Sequence, residues 1–193
     1  MADISEAFKM MGIYTSNQDT VDGYNVKLPQ IYRNLILSNF LYSSTNVNNK
    51  VMIINLCEQP LQSAYNHLIY NFKLDDSEYI SYQYFKMVML KCCELLKMAE
   101  TKNYPVIVNC AAGINRSSSV VVSYSFLTKR LPVKQAIAYI KYMKTTKYRN
   151  AWPTLTNYKF VEYLLKMQHE IINKSNNFQG IECMDFYGIH QEV

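Results

Sequence analysis

Apolar residues in the first half of the chain come in short blocks, a pattern typical of β-strands. Three blocks predict strands: Leu35-Ile-Leu, Val51-Met-Ile-Ile-Asn-Leu and His67-Leu-Ile-Tyr-Asn-Phe. A fourth block, Val106-Ile-Val, is entirely apolar, as expected of a strand buried at the centre of a sheet. Residues 1–28 show little periodicity, so we interpret them as an N-terminal extension.

The periodicity becomes helical after Ser81. Five apolar residues recur at intervals of three and four and form one helix face: Phe85, Val88, Met89, Cys92 and Leu96. Further helices are predicted from Ser117 to Lys129, from Pro132 onward and from about Leu155 to Ile172. Early strands, followed by helices around one late central strand, indicate an α/β fold.

The length of the chain is that of one domain with short tails. Of its 193 residues 49% are hydrophobic, which is enough to enclose a core without disulfides or metals. We therefore predict a domain over 29–172 between the extension at 1–28 and a polar C-terminal tail at 173–193. No run approaches the roughly 18 apolar residues of a membrane span, and no signal-peptide pattern is visible. We expect a cytoplasmic protein that does not contact membranes.

The cysteines and the net charge narrow the chemistry. The five cysteines are odd in number and contain no C-x-x-C pair. We therefore expect reduced thiols, no disulfide framework, no metal site and no cofactor. A net charge of +5 favours anionic partners, either phosphorylated proteins or nucleic acid.

One segment, from Val106 to Ser119, carries the candidate chemistry. Cys110 ends the predicted central strand, and Arg116 follows six residues later, where a helix begins. A phosphate could rest on the backbone N–H groups of this turn, at the positive end of the helix dipole. The predicted substrate-binding residues before Arg116 are Ala111, Ala112, Gly113, Ile114 and Asn115.

The residue types in this loop suit phosphate chemistry. Gly113 lets the backbone adopt a positive φ around the anion, and the planar fork of Arg116 can grip two phosphate oxygens. The same field favours the thiolate of Cys110, a nucleophile near neutral pH. Cys110 alone among the cysteines has an arginine at this spacing, an apolar strand before it, and a following serine. This context favours a catalytic loop over a strand-end cysteine beside a chance arginine.

These residues resemble the signature H-C-x-x-G-x-x-R-S/T of protein tyrosine and dual-specificity phosphatases. The run Cys110-Ala-Ala-Gly-Ile-Asn-Arg-Ser is especially similar to poxvirus-type dual-specificity enzymes, and the resemblance covers about residues 30–170. It implies a central mixed, mainly parallel sheet of about five strands flanked by helices, with a phosphatase-type P-loop between strand and helix. Asn109 stands where the family has histidine, and Ser118 where glycine is common.

The resemblance also implies a general acid about thirty residues before the nucleophile. A gap-free alignment from Phe72 through Phe85 puts Asp75 at the position of the acid, and Asp76 is the rival. The alternative interpretation of Asp76 is a solvated residue near a helix start. Ser117 resembles the hydroxyl that stabilises the departing thiolate when the phosphocysteine is hydrolysed. It can also be a helix N-cap, and the two roles are compatible.

The function implied is hydrolysis of phosphotyrosine and phosphoserine or phosphothreonine in protein substrates, through a cysteinyl phosphate on Cys110. Nucleic acid is not the expected partner, and a homodimer formed through the N-terminal extension stays open. One alternative is an RNA 5′-triphosphatase, which also has asparagine before the arginine, although Ala111 and Ala112 stand where it usually has histidine and threonine. The other alternative is a pseudophosphatase that binds phosphoproteins, which Asn109 keeps open.

Cys57 is the last residue considered, because it ends a strand expected to lie beside the catalytic one. An ordinary core cysteine is the simpler interpretation. Some relatives carry a second cysteine there that forms a disulfide with the nucleophile under oxidation. The resemblance therefore suggests, as a hypothesis, that Cys57 protects Cys110 reversibly.

Overall fold

The computed structural model describes residues 30–32, 35–39, 51–61, 67–144 and 153–176. The predicted N-terminal extension and residues 177–193 of the predicted tail lie outside these ranges. The described strands are β1 (Gln30–Tyr32), β2 (Leu35–Asn39), β3 (Met52–Asn55), β4 (Leu68–Asn71) and β5 (Val106–Cys110). The described helices are α1 (Tyr82–Thr101), α2 (Arg116–Lys129), α3 (Val133–Tyr142) and α4 (Tyr158–Asn176). None of these helices is both long and apolar enough to cross a membrane.

The five strands form one mixed sheet in the order β1-β2-β5-β3-β4. Strand β5 lies in the centre, parallel to both β2 and β3, and all five of its residues are buried. Strand β4 is parallel to β3, and only the edge strand β1 runs antiparallel. The predicted α/β fold with a mainly parallel sheet is confirmed. Strand β1 was missed, because three residues are too few to show an alternating pattern.

The parallel strands end together at one edge of the sheet. The register pairs Asn55 of β3 with both Asn109 of β5 and Asn71 of β4. Cys110 comes one residue after Asn109, so it lies at this carboxyl edge. In open α/β sheets, ligands bind in the crevice just beyond the carboxyl ends of the strands.

Helix α1 has the apolar face that its periodicity predicts. Phe85, Val88, Met89, Cys92 and Leu96 are all buried. The hydroxyl of Ser81 caps the helix by accepting a hydrogen bond from the Tyr84 N–H group, at 3.3 Å.

Helix α2 is enclosed by its neighbours. Every residue from Ser117 to Phe126 is buried, and α2 contacts β2, β5, α1, α3 and α4. A helix buried all round shows no polar stripe, so α2 has little amphipathic signal in its sequence. Its first residue is Arg116, one residue earlier than predicted.

Helix α4 begins later and ends later than predicted. Leu155 has a φ of 52°, which is incompatible with a helix, so the predicted start was wrong. Asn157 instead caps the helix, because its Oδ1 atom accepts hydrogen bonds from the N–H groups of Lys159 (3.0 Å) and Phe160 (3.3 Å). The helix continues to Asn176 because polar residues, unlike glycine or proline, do not end it.

The contact between Phe85 of α1 and Phe160 of α4 gives a test of this packing. The ring centroids are 4.9 Å apart, and both side chains are fully buried. We expect Phe160→Ala to lower the free energy of unfolding by about 3–5 kcal/mol, since it removes a buried aromatic ring and leaves a cavity. Urea unfolding measures the change. The control, Tyr142→Ala, alters a side chain that is 51% exposed and should cost less than about 0.5 kcal/mol. Equal losses would contradict the described core.

Candidate active site

The connection from β5 to α2 wraps around the sulfur of Cys110. The Gly113 N–H group donates a hydrogen bond to Cys110 Sγ at 3.2 Å, and Ser117 Oγ lies 3.2 Å from the same sulfur. Gly113 has a φ of 69°, which confirms the predicted positive value. The Cys110–Arg116 loop thus turns a backbone N–H group and a hydroxyl group toward one sulfur atom.

Arg116 is held at the same edge of the sheet by three segments. Its Nη1 atom lies 3.4 Å from the carbonyl oxygens of Leu56 and of Leu74, which follow β3 and β4. Its Nε atom lies 3.7 Å from Asp76 Oδ2, and this buried N–H group makes no hydrogen bond within the described residues. The guanidinium thus keeps a donor available, as a clamp for phosphate oxygens requires.

The predicted loop residues between Cys110 and Arg116 differ in their exposure to solvent. Ala111 and Ala112 are exposed, Gly113 is buried, and Ile114 and Asn115 are half-buried. The small side chains of the two alanines leave the backbone near the surface, where an anion could reach the amide groups.

The side chain of Asn115 fastens this loop to the segment before α4. Its Oδ1 atom accepts hydrogen bonds from the N–H groups of Thr156 (2.8 Å) and Asn157 (3.1 Å). Nearby, the Leu155 N–H group donates to the Ile114 carbonyl at 3.1 Å. No pattern along the chain predicts this role, because Asn115 and Asn157 lie 42 residues apart.

The two candidate aspartates have different surroundings. Asp76 accepts hydrogen bonds from Asn115 Nδ2 (3.2 Å) and Asn157 Nδ2 (3.0 Å), and it contacts Arg116. Asp75, the residue before it, is exposed, as is Asp76. The pKa of Lys73 is raised, mainly by its hydrogen bond with Glu58 and to a smaller extent by the negative charge of Asp75. The structure therefore joins Asp76 to the loop, whereas no hydrogen bond or ion pair joins Asp75 to it among the described residues.

Comparison with known proteins places this geometry in a family. A family model described as "Dual specificity phosphatase, catalytic domain" matches residues 37–170. The chain belongs to this family. The resemblance inferred from the loop sequence is thereby confirmed.

Two curated relatives are much longer than this chain. Human "Dual specificity protein phosphatase 5" is 25% identical over 132 residues, which cover 68% of this chain and 32% of the relative. A "Probable rhodanese domain-containing dual specificity protein phosphatase" from Dictyostelium discoideum is 27% identical over 124 residues, covering 58% of this chain and 25% of the relative. The matched region thus spans about a third or less of these relatives.

Solved structures share the phosphatase fold at low sequence identity. OH1 from Orf virus, described as a tyrosine phosphatase with triple substrate specificity, is 19% identical with a TM-score of 0.57, over 76% of this chain and 91% of OH1. Human DUSP28 is 16% identical with a TM-score of 0.62, over 75% of this chain and 95% of DUSP28. At these identities the likeness shows the fold alone.

In this phosphatase domain, the asparagine before the nucleophile belongs to an amide ladder, formed by Asn109, Asn55 and Asn71 across three parallel strands. Asn109 Nδ2 donates to Asn55 Oδ1 at 2.9 Å, and Asn55 Nδ2 donates to Asn71 Oδ1 at 2.8 Å. The ladder also accepts the N–H groups of Cys57 (3.2 Å) and Leu61 (2.9 Å). Asn55 and Asn71 thus bind the segments that follow β3, and Asn109 joins β5 to this ladder through its Nδ2 atom, while its buried Oδ1 atom makes no hydrogen bond within the described residues.

Cys57 lies near enough to Cys110 to interact with it electrostatically, and β3 and β5 are neighbours, as predicted. Burial raises the pKa of its thiol, Arg116 acts in the opposite direction, and Cys110 raises it further. Packing and redox protection both fit this position, so the disulfide with Cys110 stays a hypothesis. Peptide mapping after peroxide treatment tests it, since a linked Cys57–Cys110 peptide would support protection and its absence would remove the idea.

The amide ladder gives a prediction about stability. Asn55→Ala removes the central amide and leaves Asn109 Nδ2 and the Cys57 N–H group buried without this acceptor. Because unsatisfied buried donors are costly, we expect the free energy of unfolding to fall by about 2–4 kcal/mol in urea denaturation. The control is Asn173→Ala on α4, which alters an exposed asparagine and should change it by less than about 0.5 kcal/mol. Equal stability of the two variants would contradict the ladder.

Proposed function

We propose that this chain is a dual-specificity protein phosphatase that hydrolyses phosphotyrosine, phosphoserine and phosphothreonine through a cysteinyl phosphate on Cys110. One observation carries the proposal: the Gly113 N–H group and Ser117 Oγ both lie 3.2 Å from the Cys110 sulfur, at the start of a helix whose first residue is Arg116. The four cysteines of the described residues are free and buried. Thiol chemistry of this kind fits a reducing compartment, so we also propose a cytoplasmic location.

In the first step, the Cys110 thiolate attacks the phosphorus atom of the substrate. A P–S bond forms, the P–O bond to the substrate oxygen breaks, and an aspartic acid gives that oxygen its proton. The Arg116 fork and the N–H groups of the Cys110–Arg116 loop would hold the three other oxygens. Because these donors are fixed before the substrate binds, little reorganisation is needed as charge moves.

In the second step, a water molecule attacks the phosphocysteine. The aspartate takes a proton from the water, the P–S bond breaks and inorganic phosphate is released. The thiolate that leaves receives hydrogen bonds from the Ser117 hydroxyl and the Gly113 N–H group, each at 3.2 Å. Ser117 is fully buried, so its hydroxyl is not drawn away by solvent. These contacts support the proposed role of Ser117.

We assign the general acid to Asp75. Both carboxylate oxygens of Asp76 accept hydrogen bonds from asparagine amides, and one also faces Arg116. A carboxylate used in this way serves as an acceptor and cannot readily serve as a proton donor. The carboxylate of Asp75 makes no hydrogen bond or ion pair with the loop among the described residues, so it is left available as a proton donor. Asp76 then has a supporting role, which is to hold Arg116 and Asn115 in place.

The same substitution, aspartate to asparagine, at positions 75 and 76 distinguishes the general acid from the supporting residue. We expect Cys110→Ser to abolish turnover and Asp75→Asn to lower kcat by about 10²–10⁴-fold on a phosphothreonine peptide, because threonine leaves poorly without a proton. The same Asp75→Asn protein should lose much less on an activated aryl phosphate, whose leaving group needs no proton. Asp76→Asn should lose similar activity on both substrates, because it disturbs Arg116. Steady-state kinetics on the two substrates measure these ratios.

Three results would overturn parts of the proposal. If Asp76→Asn shows the dependence on the leaving group, the acid is Asp76. If the intact protein binds phosphopeptides without turnover, it is a pseudophosphatase. If it releases γ-phosphate from triphosphorylated RNA with far higher efficiency than it hydrolyses phosphopeptides, the RNA 5′-triphosphatase alternative holds.

A further inference from the structure

Lys144 is a buried lysine that contacts the Cys110–Arg116 loop from the protein interior. It lies just after α3, and the residue is only 1% exposed. Its ammonium donates hydrogen bonds to the carbonyl oxygens of Gly113 (3.1 Å) and Pro153 (3.0 Å). Lysine is almost never fully buried in proteins unless its charge is paired.

No carboxylate lies within ion-pair distance of Lys144 among the residues that the structure describes. Its hydrogen-bond acceptors there are two neutral carbonyl oxygens, and the Cys110 sulfur is a nearby group that can carry negative charge. Burial lowers the pKa of Lys144 to about 8, and Cys110 acts in the opposite direction. A buried ammonium without a partner is costly to keep. Its position therefore makes sense when the loop holds negative charge.

We infer that Lys144 is a positioning residue of the phosphate site, whose ammonium fixes Gly113 and adds a second positive charge beneath the Cys110 thiolate. This inference rests on the proposed function, since it assigns a role in the same reaction. Arg116 supplies the charge that contacts the phosphate directly. Lys144 acts through the loop, from the side that faces the protein interior.

The two hydrogen bonds explain how Lys144 can act at a distance. Gly113 presents its N–H group to the Cys110 sulfur and its carbonyl oxygen to Lys144. The ammonium therefore restrains the one residue of the loop with a positive φ. Through Pro153, it also anchors the segment that leads to Asn157, which holds Asp76.

Other charged and titratable groups near the sulfur must be separated from Lys144. Arg116 from α2 and Cys57 from the segment after β3 interact electrostatically with each other, and Cys57 also interacts with Cys110. Asp76 from the segment after β4 contacts Arg116. Each of these groups is unchanged when Lys144 alone is substituted, so a shift in the behaviour of Cys110 reports on Lys144.

Alkylation of Cys110 by iodoacetamide, followed by mass mapping from pH 4 to 9, tests the inference without turnover. We expect Lys144→Met to move the pH midpoint of alkylation upward by about one unit, the usual size of a lost opposite charge. Lys144→Gln, which keeps a hydrogen-bond donor but no charge, should shift it likewise, and Lys144→Arg should keep the parent midpoint. The control, Lys134→Met, removes an exposed charge from α3 and should leave the midpoint unchanged.

The results distinguish the two proposals. A parent midpoint in Lys144→Met, or its restoration in Lys144→Gln, would overturn the role of the charge. The intact protein can fail every phosphatase assay and still show the shift, in which case the inference about Lys144 holds and the proposed activity does not. A shift of the same size in Lys134→Met would mean that the effect is nonspecific, which also overturns the inference.

A second measurement leaves Lys144 unaltered, in case its variants do not fold. Carbon-13 NMR of the lysine side chains can follow the titration of Lys144 in the parent and in Cys110→Ser. Because coupling between two charges is reciprocal, removal of the thiolate should lower the pKa of Lys144. An identical titration in both proteins would overturn the inference.

Discussion

The hydrogen bond from the Gly113 N–H group to the Cys110 sulfur is the contact on which the site depends. It closes the connection between β5 and α2 into a ring around one atom, within the five residues that lie between Cys110 and Arg116. Strand β5 cannot shift along the sheet to relax this ring, because it pairs in register with β2 on one side and β3 on the other. The central position of β5 therefore fixes the sulfur, and α2 fixes the arginine. The family likeness is consistent with this, since structures only 16–19% identical keep the same fold.

The parts of the site that the sequence predicted are those encoded over short distances. Cys110, Gly113 and Arg116 lie within one loop, and their residue types and spacing predict a phosphate-binding site with a thiol nucleophile. The apolar face of α1 was equally readable, because every member lies three or four residues from the next. Strand order was predicted only coarsely, through the family resemblance. The start of α4 was misplaced because Leu155 fits an apolar helix face, although Asn157 is the residue that caps the helix.

The parts that could not be predicted are polar contacts between distant segments. Asn109 and Asn55 are 54 residues apart, Asn115 and Asp76 are 39 apart, and Lys144 and Gly113 are 31 apart. No periodic pattern marks such pairs, and asparagine and lysine are common in this chain. Only the register of the parallel strands brings Asn55, Asn71 and Asn109 to one level. Contacts of this kind form only when the strands have paired, so they emerge with the fold and not before it.

The charges around the loop are arranged unequally, and this imbalance bears on function. Within the described part of the chain, Arg116 has a carboxylate neighbour in Asp76, whereas the buried ammonium of Lys144 has only carbonyl oxygens and the nearby Cys110 sulfur. Desolvated positive charge of this kind destabilises the empty loop and favours whatever negative charge enters it. A phosphoryl group bound at Cys110 would recover that cost at the moment of binding, so stability of the free protein is exchanged for affinity toward an anion. A protein shaped only for stability would have replaced Lys144 with an apolar side chain.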